Sequence, residues 1–172
     1  MSTGGSDTPV AAEVQVHMAE SATSGFASIL EQFLRQNLEE FEEKRRRALS
    51  LRGHVVMTAS DHDSTVTIGL GGRHITIWDG AREPADAAIT GPYALLIGLL
   101  QGKSNPLVEH LRGRIKIRSS LRKPFLPLRV HYLMRLEPEG ERPTSRLRLI
   151  AAASVAAAVV AVAGGLVLIS GG

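Results

Sequence analysis

Two runs of alternating residues, separated by Gly71-Gly72, constrain this chain more than any other feature. From Ser64 to Leu70, Val66, Ile68 and Leu70 fall on one side and Thr65 and Thr67 on the other; from Arg73 to Trp78, Ile75 and Ile77 oppose His74, Thr76 and Trp78. A period of two marks a strand with one buried face. A Gly-Gly pair accepts the positive φ angles of a tight primed turn, so the two runs are expected to form an antiparallel hairpin. His54 to Ser60 reads as a further strand, joined to Ser64 by the turn formers Asp61-His62-Asp63. The expectation is a three-stranded antiparallel meander.

Helical spacing precedes the meander. Phe26, Ile29, Leu30, Phe33, Leu34, Leu38 and Phe41 recur every three or four residues, which predicts one amphipathic helix from Ser24 to about Leu51. Its basic run, Lys44 to Arg47, reads as a solvated helix end that complements the dipole. After the meander, Ala87 to Thr90 predicts a short strand, and Gly91-Pro92 opens a helix over Tyr93 to Gln101, with Pro92 suited to the first helical position. That helix is apolar all round, so it is expected to be buried on most sides or to cover a cavity. Leu107 to Leu111 predicts a helical turn and Gly113 to Ser119 a strand. Leu128 to Leu136 predicts a last short helix or strand.

The remaining segments are different in kind. Residues 1–22 are mostly small and polar, with neither a basic nor an apolar leader region; they read as a disordered leader, with at most transient helix over Val10 to Ala19. Residues 23–136 make the folded domain and 137–148 a polar, proline-containing linker. Residues 149–170 read as a transmembrane tail anchor. Leu149 to Ile169 are 21 uncharged residues, which as a helix reach about 32 Å, close to the thickness of a hydrocarbon core. Ten are Leu, Ile or Val, favouring insertion by roughly 3 to 6 kcal/mol. Arg142, Arg146 and Arg148 precede the span, so the positive-inside rule places the domain on the cytoplasmic side. Ala161 and Gly165 form a small-xxx-small pair that fits homodimerisation through the span.

The chain has no cysteine, which excludes disulfides and cysteine-based zinc or redox chemistry and fits a reducing compartment. The six histidines show no metal-ligand spacing, and Asp61-His62-Asp63 is read as a turn rather than a metal site. There is no phosphate-binding glycine loop and no nucleophile elbow. No catalytic residue and no cofactor is assigned, and the chain is read as a non-enzyme. The basic stripe Arg112, Arg114, Lys116 and Arg118 lacks interleaved aromatics, so nucleic acid is not the expected partner. It reads as a solvated sheet face or as a contact for anionic lipid headgroups.

The stretch Ala87-Ala88-Ile89-Thr90-Gly91-Pro92-Tyr93-Ala94-Leu95-Leu96-Ile97-Gly98-Leu99-Leu100-Gln101-Gly102-Lys103-Ser104-Asn105-Pro106, followed by Leu111-Arg112-Gly113-Arg114-Ile115-Lys116-Ile117, resembles the sterol carrier protein 2 family. The shared features are an apolar helix running into Gly-Lys, an Asn-Pro, and a glycine-led strand of alternating basic and apolar residues. The resemblance covers about residues 25 to 136. It implies an α/β (α+β) domain in which a five-stranded sheet is covered by helices, with an apolar tunnel between them. It implies binding or transfer of a sterol, fatty acyl chain, phospholipid or isoprenoid, with no chemistry of the domain's own. The expected lining is Val66, Ile68, Ile75, Ile77, Leu95, Leu96, Leu99, Leu100, Ile115, Ile117, Phe125 and Leu126. The alternative is an accessory or scaffold protein of a membrane lipid- or quinone-processing complex, its interior filled by side chains. Two departures stand out: Ser119-Ser120 replaces the family's Gly-Asp, and the chain ends Ser170-Gly171-Gly172 instead of a peroxisomal targeting tripeptide.

Overall fold

The computed structural model describes residues 13–136. The linker and the transmembrane helix expected over 137–170 lie outside the described residues, as do residues 1–12. Among the described residues, no helix is long and apolar enough to cross a membrane.

The fold is α+β, built on a mixed six-stranded sheet in the order β1-β4-β3-β2-β5-β6. The meander of β2 (Arg52–Ala59), β3 (Ser64–Gly71) and β4 (His74–Asp79) forms as expected. Its second turn is shifted by one residue. Gly71 stays in β3, and the two-residue loop is Gly72-Arg73, with Leu70 opposite Ile75. Only Gly72 of that pair takes a positive φ, +79°, the pattern of a type II′ turn. β5 (Ala87–Gly91) runs parallel to β2, and β6 (Lys116–Ser119) closes the sheet antiparallel to β5. β6 is shorter than the expected 113–119, because Gly113 turns at φ +70°.

The sheet has six strands, not five. The extra strand is β1 (Gln15–Met18), which pairs parallel with β4 and buries Val14 and Val16. This part of the segment read as a leader is therefore ordered sheet. Alternation over Val14, Val16 and Met18 was present, but a parallel partner nearly 60 residues away leaves no hairpin signal.

The predicted single helix is two. α1 (Gly25–Glu40) is capped by Ser24, whose Oγ accepts from Ala27 N at 3.1 Å. Ser24 is itself held by Asp79 at the end of β4, which accepts from the Ser24 and Thr23 amides at 2.9 and 2.7 Å and from the Ser24 hydroxyl. Burial opposes ionisation of Asp79, but these donors outweigh it and hold its carboxyl below the usual range. Phe26, Leu30, Leu34 and Leu38 bury one stripe of α1. The chain then breaks at Phe41 (φ −119°, ψ 106°), and α2 (Glu42–Ala48) follows.

The cause of the break is Lys44, which is buried rather than solvated. Its Nζ donates to Asn37 Oδ1 and to the Arg135 carbonyl, each at 2.5 Å, with the Phe41 ring 4.7 Å away. Asn37 Nδ2 in turn donates to the Met134 carbonyl at 2.8 Å. A continuous helix could not bring Lys44 back onto Asn37, seven residues earlier and bonded side chain to side chain. The next residue, Arg45, donates to the Leu38 and Glu39 carbonyls and so closes the end of α1.

The remaining helices are α3 (Tyr93–Leu100), α4 (Pro106–Leu111) and α5 (Leu126–Met134). Pro92 sits at the N-cap of α3 rather than at its first helical position. Asp61 supplies the cap by accepting from Tyr93 N at 2.6 Å. α1 packs over β1, β4 and β3, while α5 packs over β2, β5 and β6. Between helices and sheet lies one apolar core, including Val55, Met57, Val66, Ile68, Ile75, Ile77, Leu96 and Leu133.

Candidate functional site

The residues expected to line a tunnel separate into three groups. Val66, Ile68, Ile75, Ile77, Leu96, Ile115 and Leu126 are buried and belong to the packed core. Leu99, Leu100 and Ile117 line a narrow apolar cleft where β2, β5 and β6 meet α3, α4 and α5. Leu95 is half-buried against the core, and Phe125 is 40% exposed. The rest of the cleft wall comes from Met57, Ile89, Pro106, Pro127, Leu128, His131 and Met134. None of these is among the lining residues expected from the sequence, although Ile89 and Pro106 belong to the stretch that carries the family resemblance. Leu128 to Leu136 reads equally as helix or strand, and only the helix, which starts two residues earlier at Leu126, puts Pro127, Leu128, His131 and Met134 together.

The cleft is closed. Its volume is about 10 Å³, room for about one water molecule. A site for a lipid-sized guest needs roughly 300–1,000 Å³, so an occupant requires its walls to part. One wall is well suited to that. α3 packs mainly on α5, its outer residue Ala94 is exposed, and Leu95, Ile97 and Gly98 are half-exposed.

His131 is the single polar side chain of the cleft wall. Desolvation, with smaller contributions from the nearby Arg135 and Lys44 charges, pushes its pKa down to about 4. At neutral pH the cleft therefore presents an uncharged imidazole among hydrocarbon.

Next to the cleft lies an open groove of about 430 Å³ between α2 and α5, lined by Arg47, Ser50, Leu51, Phe125, Leu128, Arg129 and Tyr132. A hollow of about 320 Å³ adjoins it, sharing Ser50, Leu51, Phe125 and Arg129 and adding Arg52, Arg122, Lys123, Pro124 and Leu126. Leu128 lines both the groove and the cleft. One half-buried leucine thus stands between an amphipathic surface groove and the apolar interior.

The basic stripe is divided. The buried carboxylate of Glu109 holds Arg114 through two contacts at 2.6 and 2.5 Å, and Arg112 lies 3.7 Å from it. Lys116 and Arg118 project from edge strand β6 into solvent. Asp61-His62-Asp63 forms the turn between β2 and β3, and His62 lies against Tyr93 with ring centroids 4.7 Å apart. Among the described residues, no group of three or more His, Cys, Asp or Glu could hold a metal ion.

No protein-family model matches the chain, and no curated protein matches it. Solved structures do. Sterol carrier protein 2 from Yarrowia lipolytica, in its apo form, is 16% identical over 69% of this chain and all of that one, with a TM-score of 0.49. A ubiquinone synthesis protein described as UbiJ-SCP2 is 15% identical over 64% of this chain and 85% of that one, with a TM-score of 0.47. The inverting sec-alkylsulfatase Pisa1 from Pseudomonas sp. is 14% identical over 55% of this chain, with a TM-score of 0.47; the match spans only 14% of the sulfatase. Sterol carrier protein 2 domains are thus among the solved structures to which this chain is similar, with TM-scores just under 0.5, and the sequence resemblance over about residues 25 to 136 is to the same family.

Proposed function

We propose that this domain binds a hydrophobic, lipid-type guest in the cleft beneath α3 and α5, without chemistry of its own, and that residues 149–170 hold it at a membrane. The carrying observation is the composition of the cleft wall: nine apolar side chains and one imidazole, with no fixed charge. Each methylene transferred from water to such a wall contributes about 0.8 kcal/mol. An acyl chain or sterol is therefore retained with little polar recognition. The guest enters from the groove past Leu128, and α3 and α5 separate to admit it. A membrane tether raises the effective concentration of guest at the groove.

A second reading has its own support. The 10 Å³ volume fits an accessory or scaffold protein whose interior is filled by side chains. The full chain, purified from cells, distinguishes the two by native mass spectrometry and by titration with a fluorescent fatty acid or sterol. The carrier reading expects a co-purified lipid and saturable binding that Leu128→Trp abolishes without lowering Tm. A chain that is empty, and that ignores both probes, refutes it in favour of the scaffold.

A further inference from the structure

We propose that the loop joining β6 to α5, residues 120–125, is a docking surface for a bilayer carrying anionic headgroups. The loop presents Leu121 at 99% exposure and Phe125 at 40%. This exposure is built into a folded loop. The Ser120 amide donates to the Asp86 carbonyl at 2.7 Å, Lys123 N to Ser120 O at 3.0 Å, and Leu126 N to Lys123 O at 3.1 Å; Ser119 Oγ donates to Pro124 O at 3.2 Å. A leucine held wholly in water on a hydrogen-bonded loop, four residues from a half-exposed phenylalanine, forgoes burial that another surface can supply.

Charge specifies that surface. Residues 110–136 contain eight Arg or Lys and no Asp or Glu, against a net charge of +3 for the whole chain. The remainder of the chain is therefore net negative, and the positive field is gathered around β6 and α5. Within it, Arg112 and Arg114 are engaged by Glu109, and Lys123 by Asp86 at 3.0 Å. Arg118, Arg122 and Arg129 make no ion pair among the described residues, and they flank Leu121 and Phe125 in sequence. Apolar side chains flanked in sequence by uncommitted arginines match the boundary between headgroups and acyl chains, where the former sink and the latter meet phosphate. Nucleic acid is a poorer match, because Phe125 is the single aromatic platform of the loop and Leu121 offers a base nothing to stack on. Phe125 and Arg129 also line the groove, so docking here turns its mouth towards the lipid. The proposal stands whether or not the cleft opens.

The absence of cysteine allows a direct test. Leu121→Cys in the full chain is labelled with an environment-sensitive fluorophore, and His62→Cys, on the turn at the opposite end of the sheet, is the control. Both are reconstituted into phosphatidylcholine vesicles with and without phosphatidylserine. The expected result is a blue shift at position 121 only, only with phosphatidylserine, and reversed by salt. Arg118→Ala and Arg122→Ala, both solvent-exposed and so safe for folding, each reduce the docked-to-free ratio roughly fivefold. Equal emission in the two vesicle types overturns the proposal. So does a shift at position 121 that appears only with added RNA or an acidic protein.

Discussion

The half-buried imidazole of His131 makes the stability of this domain sensitive to mild acid in a calculable way. Its pKa is pushed from 6.5 down to about 4 by desolvation and by Arg135 and Lys44. The folded value lies below the unfolded one, so the unfolded chain takes up the proton first. The stability is complete above about pH 6.5 and is lost as the pH falls towards 4. Between pH 7 and pH 5 the loss is about 2 kcal/mol, and solvent reaching the partly exposed ring lowers it towards about 1 kcal/mol. The carboxylates with lowered pKa values, Asp61, Asp79 and Asp86, titrate below 3.8 and leave this window clear. The assay is guanidinium unfolding followed by fluorescence of Trp78, the only tryptophan, at pH 7 and pH 5, for the natural chain and for His131→Leu. Comparing the two cancels the five other histidines. His131→Leu is expected to lose 1 to 2 kcal/mol less on acidification, by about that margin. An identical pH dependence in both proteins refutes the desolvated histidine.

Two further outcomes follow from the packing. Lys44→Met removes the donor to Asn37 Oδ1 and to the Arg135 carbonyl; orphaning these acceptors costs about 2 kcal/mol, read as a lowered guanidinium midpoint with an unchanged slope. Gly69→Ala drives a methyl to 2.5 Å from the Trp78 ring, which lies across Gly69 with Arg82 stacked 4.9 Å from it. About 1 to 3 kcal/mol is lost, and a red shift of Trp78 emission reports the displaced ring.

Much of the sheet was legible because alternation records which side of a strand is buried. That rule placed β3 and β4 within a residue and assigned Val66, Ile68, Ile75 and Ile77 to the inner face; β2 and β5, read from the turn formers and breaks that bound them, fall within two residues. The rule was one residue out at the hairpin because either glycine accepts the turn, and only the pairing of Leu70 with Ile75 decides between them. The break at Phe41 left no local mark: no glycine or proline stands there, and its cause is a contact between Lys44 and residues far along the chain. β1 was hidden by the same distance. The site was least legible. Periodicity tells that Leu99 or Ile117 faces inward, but not whether it meets another side chain or a space. Nor does it tell that Leu128 stands at a junction, which depends on how α5 lies across the sheet.

The first strand changes where this molecule can safely be trimmed. β1 is a short ribbon laid along the outer margin of β4, fastened by Gln15 N to Arg73 O at 2.8 Å, Ala19 N to Ile77 O at 2.9 Å, and the Arg35 guanidinium to Val16 O at 2.7 Å. A fragment begun at residue 23, the boundary that composition recommends, would strip away this selvage. The naked rim of β4 would then be open to any passing extended chain, including another copy of itself. Cutting before Glu13 keeps the hem in place.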